Sequence, residues 1–195
     1  MGPETGTDTP PYAAVVLAGG TAARLDGMDK AGVEYAGRTL LEHALAAVRD
    51  ATETVVVGEH VPTSRPVTFT REDPPYGGPA AGLLAGRDAL AVAPQRLVVL
   101  AVDMPRVSPG TVARLLAAAT GHDGAFLADR GGSRQLAGVV DVPALDQARP
   151  DDSHGLPLHR LLASLDLAVV APDGDEATDV DTWADLRDLR EPRGD

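Results

Sequence analysis

Two short runs constrain this chain most: AAVVLA at 13–18 and RLVVLAV at 96–102, apolar throughout apart from one leading arginine. A strand whose side chains are apolar on both alternating faces must be covered on both sides, which is the habit of parallel sheets between layers of helices. The segment TLLEHALAAV switches to helical period, with Leu41, Ala44, Leu45 and Val48 on one face, so the first run and this segment form a βα unit. Further strands are predicted in ETVVVG, VTFT, GAFLA, LAGVVD and LAVVA, and helices in PAAGLLAGRDALA, in HGLPLHRLLASL and from Thr182 onward. In SPGTVARLLAAAT, Ser108 is the predicted N-cap and Pro109 the first helical residue, with Val112, Leu115, Leu116 and Ala119 as the buried stripe. The alternation predicts an α/β fold, a three-layer α/β/α sandwich around a mostly parallel twisted sheet. Ligands of such sheets bind beyond the carboxyl ends of the strands.

At 195 residues the chain is long enough for one large core, and no repeat or low-complexity segment divides it. Residues 1–11, polar and rich in Pro, Thr and Gly, read as a disordered tail, and 12–190 as a single domain with halves meeting near residue 105. A net charge of -12 with 3% aromatic residues argues against a nucleic-acid partner, which would call for a basic stripe and stacking rings. An anionic ligand must therefore be met by a local pocket of cations and backbone N–H groups. The absence of cysteine removes thiolate nucleophiles and Cys-ligated zinc. No apolar segment approaches about 18 residues, and the N-terminus has no signal-peptide pattern, so the chain reads as cytoplasmic with no membrane partner.

The loop after the first strand, VVLAGGTAARLDGMDKAG, holds the one lysine of the sequence, Lys30, against sixteen arginines elsewhere. Gly19 and Gly20 let the backbone approach an anion and turn successive N–H groups toward it. The spacing matches neither the dinucleotide fingerprint nor the P-loop, since Ala31 rather than Ser or Thr follows Lys30. An ammonium is a compact point charge suited to phosphate oxygens, unlike the planar fork of arginine. Arg24 lies in the same loop and offers a second cation. On spacing alone, a plain βα turn with solvated charges stays open. Asp103, ending the second apolar run at the same sheet edge, is placed to hold Mg²⁺ against phosphates, or to cap the next turn. In REDPPYGGPAAG, Asp73 and the segment Gly77–Gly82 would accommodate a base and ribose, or form a structural loop.

Together these stretches resemble the molybdenum cofactor guanylyltransferases. The family pattern L-A-G-G, three residues, R-M-G-G-x-D-K is similar to LAGGTAARLDGMDK, with Leu25 for Met and Asp26 for the first paired glycine. E-D followed by G-P-L-A-G is similar to EDPPYGGPAAG, D-x-P to Asp103-Met104-Pro105, and the closing N/D-V-N/D-T-P to DVDTWADL. The resemblance spans Val15 to Leu186 and implies the Rossmann-like nucleotidyltransferase version of the predicted fold. It also implies that Lys30, Arg24 and Asp103 are catalytic, and that Leu17, Ala18, Gly19, Gly20, Lys30, Asp73, Gly78, Pro79, Gly82 and Asp103 bind the nucleotide. Asp103, with Asp181, would bind Mg²⁺, with Mn²⁺ as a substitute. In the later half of the chain, DRGGSRQLAG offers Arg134, Ser133 and Gln135 for a pterin or phosphate, with His159-Arg160 as added charge, or forms a hairpin loop with solvated arginine; Asp179, where the family keeps Asn or Asp, would stand near the metal or acceptor. Asp181 or Thr182 with Asp185 serves equally well as a helix start.

The activity implied is transfer of GMP from GTP to the terminal phosphate of molybdopterin, releasing pyrophosphate, with transient contact to molybdoenzyme-maturation proteins. A phosphomonoester is largely dianionic near neutrality, its second pKa being about 6, so no general base is needed. Catalysis becomes a matter of positioning and charge neutralisation. The five histidines show no paired metal-ligand spacing. The alternatives are a cytidylyltransferase on the same pterin, a transferase acting on another phosphate acceptor such as a sugar phosphate, and a GTP-binding adaptor without turnover.

Overall fold

A computed structural model of the protein describes residues 10–19, 30–92 and 94–189. In chain order the elements are β1 (Tyr12–Leu17), a single 3₁₀ turn (Lys30–Gly32), β2 (Glu34–Tyr35), β3 (Arg38–Thr39), α1 (Leu40–Ala47), β4 (Thr54–Val57) and β5 (Thr68–Thr70). There follow α2 (Gly78–Asp88), β6 (Arg96–Ala101), α3 (Pro109–Ala118), β7 (Gly124–Ala128), β8 (Arg134–Asp141), α4 (Val142–Ala148), α5 (Leu158–Leu161), β9 (Leu167–Val170) and α6 (Trp183–Asp188). Seven strands form one sheet in the order β5-β4-β1-β6-β8-β7-β9. All neighbours are parallel except the pairs made by β8, which runs against both β6 and β7. This is the mostly parallel α/β sandwich expected from the sequence.

The period of two along β1 explains the layers. Ala14, Val16 and Ala18 enter one core with residues of α1, α3 and α6. Ala13, Val15 and Leu17 enter the other with residues of α2, α4 and α5. Every residue of β1 is buried, as a doubly covered strand requires. The caps follow their chemistry: the Thr39 hydroxyl accepts from the Glu42 N–H at the head of α1, and Ser108 and Thr111 form a capping box under Pro109. Gly86 lets α2 lie directly on the sheet, since a methyl group there would stand 2.6 Å from a Val15 methyl.

Two features were not anticipated. The β2–β3 hairpin is two residues per strand, too short to show a period. Helix α4 carries Pro143, but Asp141 caps it by accepting from the Ala144 N–H and the proline occupies its first turn, where no N–H is needed. Among the described residues no helix is long and apolar enough to cross a membrane.

Candidate active site

The strand order fixes where a ligand can enter. From β1 the chain proceeds to β4 and β5 on one side, then returns to place β6 on the other, so the switch point lies between β1 and β6. The two strands end flush, with Leu17 level with Ala101. Backbone bonds seal the edge: the Val102 N–H donates to the Leu17 carbonyl at 3.0 Å and the Ala18 N–H to Val57 at 2.9 Å. Asp103 follows two residues beyond β6 rather than at its end.

Lys30 stands at this edge because its turn is anchored. Ala31 and Val33 are buried, and the Val33 N–H closes the turn on the Lys30 carbonyl at 3.1 Å. The ammonium reaches Asp103 Oδ2 at 3.0 Å and Asp181 Oδ1 at 2.6 Å, the two carboxylates being 73 and 151 residues away. Asp181 arrives through a backbone contact: the N–H of fully buried Val180 donates to the Asp103 carbonyl at 2.8 Å. Thr182 and Asp185 form the capping box of α6, and the neighbouring Asp181 carboxylate accepts from Lys30. Partial burial pushes the Lys30 ammonium down, but the hydrogen bond it donates to Asp181 and the charge of Asp103 with the hydrogen bond donated to it outweigh this and hold the ammonium above its usual value. Asp179 is held above the ordinary aspartate range by desolvation and by the charges of Asp181, Asp103 and Asp185, despite an opposing backbone hydrogen bond. Among the described residues the site is therefore an acidic cluster around the Lys30 ammonium.

A cleft of about 420 Å³ opens from this cluster, walled by Leu17, Gly19, Val57, Glu72, Tyr76, Gly78, Pro79, Gly82, Ala101, Val102 and Leu136 as well as Lys30 and Asp103. Its glycines differ in purpose. Gly78 has φ +84°, which favours glycine. Gly82 lets α2 approach the sheet, since a methyl there would be 3.3 Å from Leu17 Cδ2. Gly19 shows neither constraint among the described residues, where a methyl would meet nothing closer than the Val57 carbonyl oxygen at 3.7 Å. Among the described residues nothing requires glycine at 19, which lines the cleft.

A second hollow of about 490 Å³ adjoins the first, sharing Tyr76, Gly78, Pro79 and Leu136. Its own wall comes from Phe126, Arg134, Gln135, Gly155, Leu156, Pro157, Leu158, His159 and Leu162. Gly138 faces Phe126 across the β7–β8 ladder, and the ring lies over it so closely that a methyl at 138 would be 2.4 Å from the ring edge. Asp129 organises the hairpin loop, accepting from the N–H groups of Gly131 and Ser133 at 2.8 and 2.9 Å and from Gln135 Nε2 at 3.2 Å.

The predicted residues fall as follows. Leu17, Gly19, Lys30, Gly78, Pro79, Gly82 and Asp103 share the first cleft, and Arg134 and Gln135 line the second hollow. Ala18 is buried behind the wall. Asp73 is exposed outside the cleft lining, where its neighbour Glu72 takes the wall position; along extended chain a shift of one residue reverses the side chain. Asp179 lies with the carboxylates around Lys30 and not among the lining of the second hollow. Ser133 and Arg160 are exposed and outside that lining. Gly20, Arg24, Leu25, Asp26 and Gly27 lie outside the described residues. Sequence reasoning did not select Glu72, Tyr76 or Phe126. Tyr76 had a signal, being one of three tyrosines and next to the glycine pair.

Comparison with known proteins identifies the family of the chain. The sequence model of the MobA-like NTP transferase domain matches residues 14–173. A molybdenum cofactor guanylyltransferase of Bradyrhizobium sp. (strain ORS 278) is 34% identical over 162 residues, 78% of this chain and 74% of that protein. Another from Acidiphilium cryptum is 37% identical over 142 residues, 68% of each chain. The crystal structure of molybdopterin-guanine dinucleotide biosynthesis protein A from Archaeoglobus fulgidus is similar in fold, with a TM-score of 0.70 at 21% identity, covering 90% of this chain and 95% of that one.

Proposed function

The chain belongs to the MobA-like NTP transferase family, and from that premise we propose that it transfers GMP from GTP to the terminal phosphate of molybdopterin, with release of pyrophosphate, in the cytoplasm. The observation that carries the reading is the meeting of Lys30, Asp103 and Asp181 at the β1–β6 switch point, on the floor of a cleft that runs into a second hollow. A phosphate oxygen of the acceptor attacks the α-phosphorus of GTP. One P–O bond forms, the bond from the α-phosphorus to the α,β-bridging oxygen breaks, and pyrophosphate leaves with that electron pair. The dianionic acceptor supplies its own nucleophile, so the reaction needs no general base.

The ammonium carries three N–H donors, of which Asp103 and Asp181 take two. On this reading the third goes to the triphosphate, and Gly19 and Gly78 bring backbone close to it. The same two carboxylates offer hard oxygen donors at one point, which suits Mg²⁺, or Mn²⁺ in its place. Among the described residues no group of three His, Asp or Glu side chains is arranged around a metal, so phosphate oxygens and water would complete the shell. Bound there, the cation would neutralise negative charge that develops on the leaving pyrophosphate. Arg134, Gln135 and His159, set in an otherwise apolar wall, suit a flat heterocycle with polar edges. Molybdoenzyme-maturation proteins would receive the product in transient contacts.

Incubating the protein and Mg²⁺ with molybdopterin and each of GTP, CTP, ATP and UTP, and measuring pyrophosphate, tests this directly. Turnover is expected with GTP. Preference for CTP replaces the guanylyl assignment with cytidylyl transfer, and nucleotide binding with no pyrophosphate from any nucleotide replaces it with an adaptor.

A further inference from the structure

Tyr76 occupies a place that local structure does not explain. Its φ is +63°, in the left-handed region where a side chain is strained, although the two residues after it are glycines and Gly78 takes the same region at φ +84°. A turn that needed only the backbone would be better served by Gly or Asn at 76. The ring is 79% exposed, against the usual burial of aromatic surface. The backbone beneath it is pinned. Gly77 is buried, with a methyl there meeting Ala81 Cβ at 2.7 Å, and its carbonyl accepts from the Gly155 N–H at 2.8 Å. A solvent-facing ring carried on a strained and pinned backbone is the kind of feature that persists at binding sites. Tyr76 also belongs to the walls of both hollows.

We infer that Tyr76 is an aromatic partition between the two subsites, contacting a planar ring system in each and so fixing the separation of donor and acceptor. This rests on the two-substrate reading above. Both ligands of that reading are flat heterocycles, and stacking on an aromatic side chain is tolerant of which heterocycle is offered. The residue adds no chemistry. It sets affinity and alignment.

The test is equilibrium binding, by titration calorimetry with Mg²⁺ present, of two probes measured separately: molybdopterin, and a GTP analogue with a methylene bridge between the α- and β-phosphorus atoms. Tyr76→Ala is expected to weaken both about 5- to 100-fold, and Tyr76→Phe to hold both within about twofold. Tyr76→Gly is expected to weaken both like the alanine variant while raising Tm by about 2–4 °C, because the left-handed strain is relieved. Unchanged binding of both probes in Tyr76→Ala overturns the inference, whatever happens to Tm. Loss confined to one probe also overturns it, since the ring would then serve one subsite alone. Pyrophosphate release by the unaltered protein is scored separately. If it fails while Tyr76→Ala still weakens both probes, the transferase reading falls and the partition stands.

Discussion

The two hollows differ in what their walls are made of. The first rests on the ends of β1 and β6, interior parallel strands locked by backbone hydrogen bonds, and Lys30 and Asp103 meet at that edge while Glu72 stands on the wall. The second rests on the β7–β8 hairpin, the loop at 155–157 and the four-residue helix α5, and its charged groups are spread over an apolar lining. Rigid strand ends suit chemistry that needs cations placed to within a fraction of an ångström, while loops and short helices can be remodelled to choose an acceptor. On the proposed reading, the contrast makes donor chemistry a property of topology and acceptor choice a property of side chains.

The most severe way to break that division is Lys30→Ala. It should lower the rate of pyrophosphate release at least about 100-fold, the scale of losing a preorganised charge at the reacting phosphates, while molybdopterin still binds. Stability should change by no more than about 1 kcal/mol, because the ammonium and both partners are partly open to solvent. Thermal unfolding beside single-turnover assays separates the two effects.

A pair of glycines sharpens the comparison. Gly19→Ala should leave stability within about 0.5 kcal/mol, since the fold has room for a methyl, and weaken binding of the GTP analogue about tenfold by filling the cleft. Gly138→Ala should do the reverse, costing about 1–3 kcal/mol by driving a methyl into Phe126 and raising KM for the acceptor with KM for GTP unchanged. Denaturant titration and steady-state kinetics of the two variants give the four numbers required.

Smaller still is Arg134→Ala, for which an acceptor KM about five times higher is expected at unchanged GTP affinity, as fits one exposed charge on the wall.

The smallest effect lies away from both hollows. Glu176 is buried against Arg114, at 2.5 and 3.1 Å, and the Thr111 hydroxyl at 2.6 Å. Burial pushes its carboxyl up, but the hydrogen bonds of Arg114, Thr111 and the Asp173 N–H prevail and hold it below the ordinary glutamate value. Its stabilisation is therefore present above the unfolded value of about 4.3 and is lost as pH falls through the lower folded value. Glu176→Gln should cost about 1–2 kcal/mol near neutrality, with the gap to the unaltered protein closing on acidification. Kinetics at neutral pH should not move.

What could be read in the sequence follows the same division. The doubly apolar runs of β1 and β6 forced a buried parallel pair, and with it the switch point and the edge where Lys30 and Asp103 stand. Asp181 could be named from its motif, but its position depends on the Val180–Asp103 backbone bond, a contact across 77 residues that no local pattern encodes. The direction of β8 was hidden because LAGVVD reads the same either way, and the second hollow depends on that direction through the Phe126–Gly138 pairing. No sequence signal separates Glu72 from Asp73, because a period of two cannot be phased in a stretch that holds Pro74 and Pro75.

The central claim is that one triphosphate is shared by the Lys30 ammonium and a divalent cation on Asp103. A crystal structure of the protein with Mn²⁺ and the methylene-bridged GTP analogue, with manganese located by anomalous scattering, tests it most directly. The claim predicts manganese within coordination distance of an Asp103 oxygen and a phosphate oxygen within ion-pair distance of Lys30 Nζ. A triphosphate bound elsewhere, with Lys30 still held between Asp103 and Asp181, would contradict it.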